Sequence, residues 1–155
     1  SISKLFSLLD KKFMSIALDL AKESFDFEEV PVGAVVVKGE KILGKGRNTV
    51  ISDNDVSSHA EINAIRNASV TIGNYRLNDC VMYVTLEPCH MCAKAIVDAR
   101  ICSVIFGCPE PKTGSIISID NFFDKKELNH NPQYQNGLFS EESSKLLKDF
   151  FSLRR

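Results

Sequence analysis

Val81-Met82-Tyr83-Val84-Thr85-Leu86-Glu87-Pro88-Cys89-His90-Met91-Cys92-Ala93-Lys94-Ala95-Ile96-Val97 is the stretch on which the fold turns. Its first six residues are apolar or β-branched and read as a buried strand, which stops at Pro88 because proline has no N–H for the ladder. Beyond it, Ala93, Ile96 and Val97 recur at helical spacing, so a helix is expected over 89–99.

Upstream, 30–37 is too uniformly apolar for a half-exposed strand, and Lys38-Gly39-Glu40 turns it into 41–44 as a hairpin. Ser57 and Ser58 precede a helix over 59–66, and a stripe of Phe13, Ile16, Ala17, Leu20 and Ala21 predicts a surface helix over 10–24 with Asp10 as its N-cap. Downstream, a strand is expected over 101–106, ended by Gly107 and Pro109, and then short helices and loops over 110–136. Pro132 opens an expected edge strand over 133–139. Ser140 reads as the cap of a last helix, with Glu141 and Glu142 at its positive end and Leu146, Leu147, Phe150 and Phe151 packing it down. Strands alternating with helices predict an α/β fold, a three-layer α/β/α sandwich around a five-stranded mixed sheet. With no repeat and no linker, residues 1–155 read as a single domain.

The composition agrees: 155 residues, 44% hydrophobic and 25% charged, suffice for one real core. A formal net charge of -1 excludes a broad basic field, so any nucleic-acid contact must be local. No run is long enough for a transmembrane helix, and residues 1–12 lack the pattern of a secretory signal, which predicts a cytoplasmic protein with no membrane partner. The chain opens on Ser1 rather than Met, so an altered natural beginning is expected. Gly39-Glu40-Lys41-Ile42-Leu43-Gly44-Lys45 resembles most of a phosphate-binding loop, but Gly46 stands where Ser or Thr is needed, so it is read as a hairpin turn.

Five cysteines is an odd number, and the pairing of two in Cys89-x-x-Cys92 favours metal ligation over a disulfide framework. Both thiols fall on one face of a first helical turn, where unsatisfied N–H groups and the helix dipole favour thiolates. His59, also at a helix start, can add a neutral imidazole. Three such ligands suit zinc and leave the fourth tetrahedral position for a water, the catalytic pattern. Glu61 lies two residues beyond His59 and can turn to the same spot, where a carboxylate would move protons. His90 lies about 100° around the helix from Cys89 and is expected to point elsewhere. Cys80, Cys102 and Cys108 read as buried core thiols, and His130 as a loop-fixing hydrogen bonder.

His59-Ala60-Glu61 with Pro88-Cys89-x-x-Cys92 resembles the signature of the cytidine deaminase-like zinc deaminases. Taken with Val30-Pro31-Val32-Gly33-Ala34, Asn48, Thr85-Leu86-Glu87, Lys112-Thr113-Gly114, Asn129-His130, Phe150-Phe151 and Arg154-Arg155, the chain resembles the bacterial tRNA-specific adenosine deaminases over nearly its whole length. The resemblance implies one zinc per chain on His59, Cys89 and Cys92, proton transfer by Glu61, a base hydrogen-bonded by Asn48, and a pocket shaped by Val32, Gly33 and Ala60. It further implies a homodimer acting on a tRNA anticodon arm, with Glu110, Lys112, Thr113, Arg154 and Arg155 as candidate RNA contacts. The chain departs from the family pattern at Arg47, where an aromatic is common, at Glu110, where Asp is usual, and at the variable His90. Lys145 and Lys148 read equally as a solvated face or as phosphate contacts. The rival readings are a small-molecule guanine or cytosine deaminase of the same fold and an inactive zinc-bearing partner subunit. Glu61 speaks against the second, since a structural site gains nothing from an unliganded carboxylate.

Overall fold

The computed structural model describes residues 5–154. Helix α1 (Leu8–Asp26) leads into the hairpin β1 (Gly33–Lys38) and β2 (Lys41–Arg47), followed by a one-turn helix α2 (Val50–Asp53) and by α3 (Ala60–Ile72). Then come β3 (Val81–Leu86), α4 (His90–Asp98), β4 (Ser103–Cys108), β5 (Gln133–Asn136) and α5 (Ser140–Ser152). The sheet order is β2-β1-β3-β4-β5, with β1 antiparallel to β2 and β3 while β3, β4 and β5 run parallel. This is the expected five-stranded mixed sheet.

The uniformly apolar strands are covered on both faces. Ala34, Val36, Met82, Val84, Val104 and Phe106 meet the small inner residues of α3 (Ala60, Ala64, Ala68) and Ile96 and Val97 of α4. Val35, Val37, Tyr83 and Ile105 pack on the other side against Phe13, Met14 and Ala17 of α1. The alanine face of α3 permits a close approach. A Cβ on Gly46 would lie 2.3 Å from the Ala60 carbonyl oxygen and 2.4 Å from the Ala64 nitrogen, both backbone atoms that cannot turn aside. Gly46→Ala is therefore expected to destabilise the fold by about 1–3 kcal/mol or more, read as a lowered urea midpoint.

Several local expectations are corrected. Asp10 is not the N-cap of α1. Ser7 is, and Asp10 at the third helical position closes a capping box with it while also accepting the Tyr83 hydroxyl at 2.6 Å. Ser140 is the first helical residue of α5 rather than its cap, a position held by Phe139 in a left-handed conformation (φ 54°). The last strand ends at Asn136, because Gly137 turns with φ 101°. Phe150 packs α5 against Phe25, while Phe151 is 49% exposed and Leu146 and Leu147 are half-buried. Cys102 is exposed rather than core, since β4 begins only after it. Helix α2 was not foreseen from its sequence.

Candidate metal centre and active site

Two helix starts converge on one point. His59 is the N-cap of α3 and Cys89 the N-cap of α4, both with extended backbone, and neither side chain is spent on capping. Cys92 follows in the first turn of α4, fully buried. His59 Nδ1 lies 3.7 Å from Cys89 Sγ and 3.5 Å from Cys92 Sγ, and the three ligand atoms all fall within 4.8 Å of one another. A tetrahedral ion with Zn–N of about 2.0 Å and Zn–S of about 2.3 Å sets N···S edges of roughly 3.5 Å, so the donor set fits zinc in both chemistry and spacing.

The thiols are electrostatically unequal in the metal-free chain. The Cys92 thiol donates to Cys89 and, with His59, pulls the Cys89 pKa down to about 4 against the effect of burial. That same hydrogen bond, together with burial, holds the proton on Cys92. His59 is raised, chiefly by its hydrogen bond to Cys89. Glu61, in the first turn of α3 and 4% exposed, is pushed up to about 7 by burial. The negative charge of Cys89 adds to that rise, while a backbone hydrogen bond and His59 oppose it.

His59, Glu61 and Cys89 line a cavity of about 330 Å³, together with the apolar Val32, Ala60 and Leu86. Asn48 lines it too and is 8% exposed. Its amide nitrogen donates to Val30 O at 3.2 Å and its oxygen accepts from Val50 N at 3.3 Å. One amide hydrogen and one lone pair remain for a ligand. Thr113 forms part of the rim. Gly33 stands behind the wall rather than in it. A Cβ there would lie 2.0 Å from Ala17 O of α1, and its N–H is held by Thr85 Oγ1.

Of the remaining candidates, Lys112 is exposed, and its N–H is held by the Glu110 carboxylate at 3.0 Å. Arg154 is not among the residues that line the cavity; its guanidinium lies 4.0 Å from the Phe150 ring centroid and donates to Glu28 O at 2.9 Å. Arg155 lies outside the described residues. Arg47 turns toward α1, where it pairs with Glu23 and stacks on Phe27. Lys145 pairs with Asp149 on the exposed face of α5. His90 points away from the ligand cluster, its Nδ1 2.6 Å from Ser115 Oγ and its ring against Phe122. His130 Nε2 lies 2.6 Å from the Ile101 carbonyl oxygen and fixes its loop.

The sequence reading assigned no role to two acids that the fold buries. Glu29, 2% exposed, accepts from the N–H groups of Ile51 and Ser52 and from the Ser52 hydroxyl, and so pins α2 over the cavity. Burial works to raise its pKa, but those donors outweigh it and hold the carboxyl below its usual range. Glu87, also 2% exposed, binds the segment beyond β4. Each abuts an apolar strand, the one visible signal, but their partners lie more than 20 residues away.

The MafB19-like deaminase family model matches residues 9–155. The chain is 45% identical over 154 residues to the tRNA-specific adenosine deaminase of Haemophilus influenzae, covering 99% of this chain and 89% of that protein. It is 41% identical over 143 residues to the enzyme of that name from Aquifex aeolicus, covering 92% and 94% of the two chains. A solved structure from a study of A-to-I editing by tRNA:A34 deaminases superposes with a TM-score of 0.85 at 40% identity, over 88% of this chain and 99% of that one. A guanine deaminase from Nitrosomonas europaea, at 19% identity and a TM-score of 0.76 over 92% and 84% of the chains, shares the fold.

Proposed function

Because the chain belongs to the family of tRNA-specific adenosine deaminases, we propose that it hydrolyses the anticodon wobble adenosine of tRNA to inosine, releasing ammonia. The observation that carries this reading is the three-ligand cluster with Glu61 beside it at the side of a cavity large enough for a base. His59, Cys89 and Cys92 hold one zinc ion per chain, which when bound supplies Lewis acidity and an activated water. Glu61, poised near neutrality by burial, takes one proton from the attacking water at a carboxylate oxygen and delivers it to the ring nitrogen. It then carries the second proton, from the hydroxyl now on the ring carbon, to the departing amine, which leaves as ammonia as the carbonyl forms. Asn48 uses its free amide hydrogen and lone pair on the edge of the base, and Val32 and Ala60 enclose its faces. Gly33 contributes by letting α1 close behind that wall. The target base must leave its stack to enter, which costs least in a single-stranded loop and so favours the anticodon arm over duplex RNA.

The domain over 1–155 acts as a homodimer in the cytoplasm. Among the described residues no helix is long and apolar enough to cross a membrane. Thr113 at the rim, with Glu110 and Lys112 in the same loop, forms the RNA-contacting edge, while Arg154, just beyond α5, offers cationic support and Arg155, next in the sequence, is a further candidate contact. With a net charge of -1, the grip rests on few phosphate contacts. Lys112→Ala is expected to weaken anticodon-arm binding and to reduce the slope of log affinity against log salt by about 0.7–0.9, measured over a salt series. Incubating the zinc-loaded protein with a transcript carrying adenosine at the wobble position, then sequencing, should show A-to-G conversion at that site. Free adenine, guanine and cytosine should remain unchanged. Conversion of a free base with none of the transcript would overturn the substrate assignment.

A further inference from the structure

We propose that Glu87 is a positioning residue for the substrate: its carboxylate serves as the template on which the segment 110–118 is wound, and so sets Thr113 at the cavity rim. This rests on the deaminase reading above.

Glu87 follows directly on β3 on the way to Cys89, and all the hydrogen bonds of its carboxylate reach forward to one segment. Oε1 accepts from Glu110 N at 3.0 Å and from the Ser118 hydroxyl. Oε2 accepts from the N–H groups of Ile116 at 3.0 Å, Ile117 at 2.8 Å and Ser118 at 3.0 Å. Among the described residues no Lys or Arg pairs with it, so backbone and hydroxyl donors alone compensate its charge. The segment contains no regular helix or strand of its own. Its path follows the donors' need to face one anion.

Gly114 shows how tight the winding is. An added Cβ would lie 2.2 Å from Glu87 Cδ and 2.3 Å from Oε1, so only glycine lets the backbone pass. At that closest point Gly114 forms a bridge with Cys89, and Ser115 N donates to Pro88 O at 2.9 Å. Thr113, one residue earlier, is thereby delivered to the rim of the cavity. Ser115 is braced a second time, by His90 and Asp120. Pro88 and His90, on either side of Cys89, thus brace the segment in its middle at Ser115, and Glu87 holds it at both ends.

Single substitutions separate this role from a merely stabilising one. Glu87→Gln keeps one acceptor oxygen, which can serve the three N–H groups of 116–118. Its amide nitrogen then faces Glu110 N–H, and the 110–113 end is released. Glu87→Ala releases both ends. Gly114→Ala pushes the loop off an intact carboxylate. With the zinc-loaded protein and an anticodon-arm RNA, KM is expected to rise on the order of tenfold in Glu87→Gln and Gly114→Ala and further in Glu87→Ala. Zinc content should be unchanged, and kcat should shift by less than about threefold. Amide hydrogen exchange should accelerate at residue 110 in Glu87→Gln and at 110 and 116–118 in Glu87→Ala, with α3 and α4 unaffected. Unchanged KM in Glu87→Gln and Gly114→Ala, or exchange accelerated uniformly over the protein, would overturn the proposal. Should Glu87→Ala fail to fold, the other two variants decide. A wild type inactive on the RNA would sink the substrate reading instead, while the exchange pattern would still report whether Glu87 winds the loop.

Discussion

Glu61→Gln is expected to lower the deamination rate by roughly 10²–10⁴-fold while leaving zinc content and thermal stability near wild type. The size follows from the role: a buried carboxylate whose pKa is pushed up to about 7 is matched to taking and returning a proton at neutral pH, and the amide can do neither. The preserved stability follows from the surroundings. Glu61 is 4% exposed, and burial is the largest influence on its ionisation, so removing its charge relieves a desolvation cost. Single-turnover measurement on an anticodon arm, with metal analysis of the same samples, checks both halves. Near-normal turnover would show that another group moves the proton.

Cys92→Ala is expected to take zinc from about one ion per chain to none and activity to background, because two ligands cannot hold zinc in a tetrahedral site. Cys80→Ser, Cys102→Ser and Cys108→Ser should each keep their metal. Their sulfur atoms are engaged elsewhere, Cys102 donating to Cys80 O at 3.1 Å and Cys108 to Thr85 O at 3.8 Å. Stability should fall with the metal in Cys92→Ala, since zinc on the proposed ligands would join the starts of α3 and α4 and its binding energy would add to that of the fold. In the metal-free protein Cys92 keeps its proton, so zinc uptake at neutral pH must displace it and the apparent affinity should rise with pH. Elemental analysis and a pH series of zinc binding test these outcomes. Zinc lost from Cys102→Ser or Cys108→Ser would refute the ligand assignment.

The features legible in the sequence were those whose physics is local. A strand stopped by Pro88 and followed by helical spacing announces its own geometry, and so does the apolar hairpin. The ligand types at a fixed Cys-x-x-Cys spacing share one helical turn wherever that turn is placed. The caps were less legible, because Ser7 and Asp10 compete for one role and only the helix's true start, at Leu8, decides between them.

From the sequence alone came the alternating α/β order, the five strands, the candidate ligands His59, Cys89 and Cys92, and the acid beside them. Only the tertiary structure decided what the other acids do. Nothing in the spacing around Glu29 or Glu87 assigns either a partner, and Glu87 enters the sequence reading only within the Thr85-Leu86-Glu87 resemblance. In the fold each is buried and takes its donors from segments more than 20 residues on. A carboxylate's role depends on which donors the chain brings back to it, and that long-range information is carried by the packing of sheet and loops rather than by spacing along the chain.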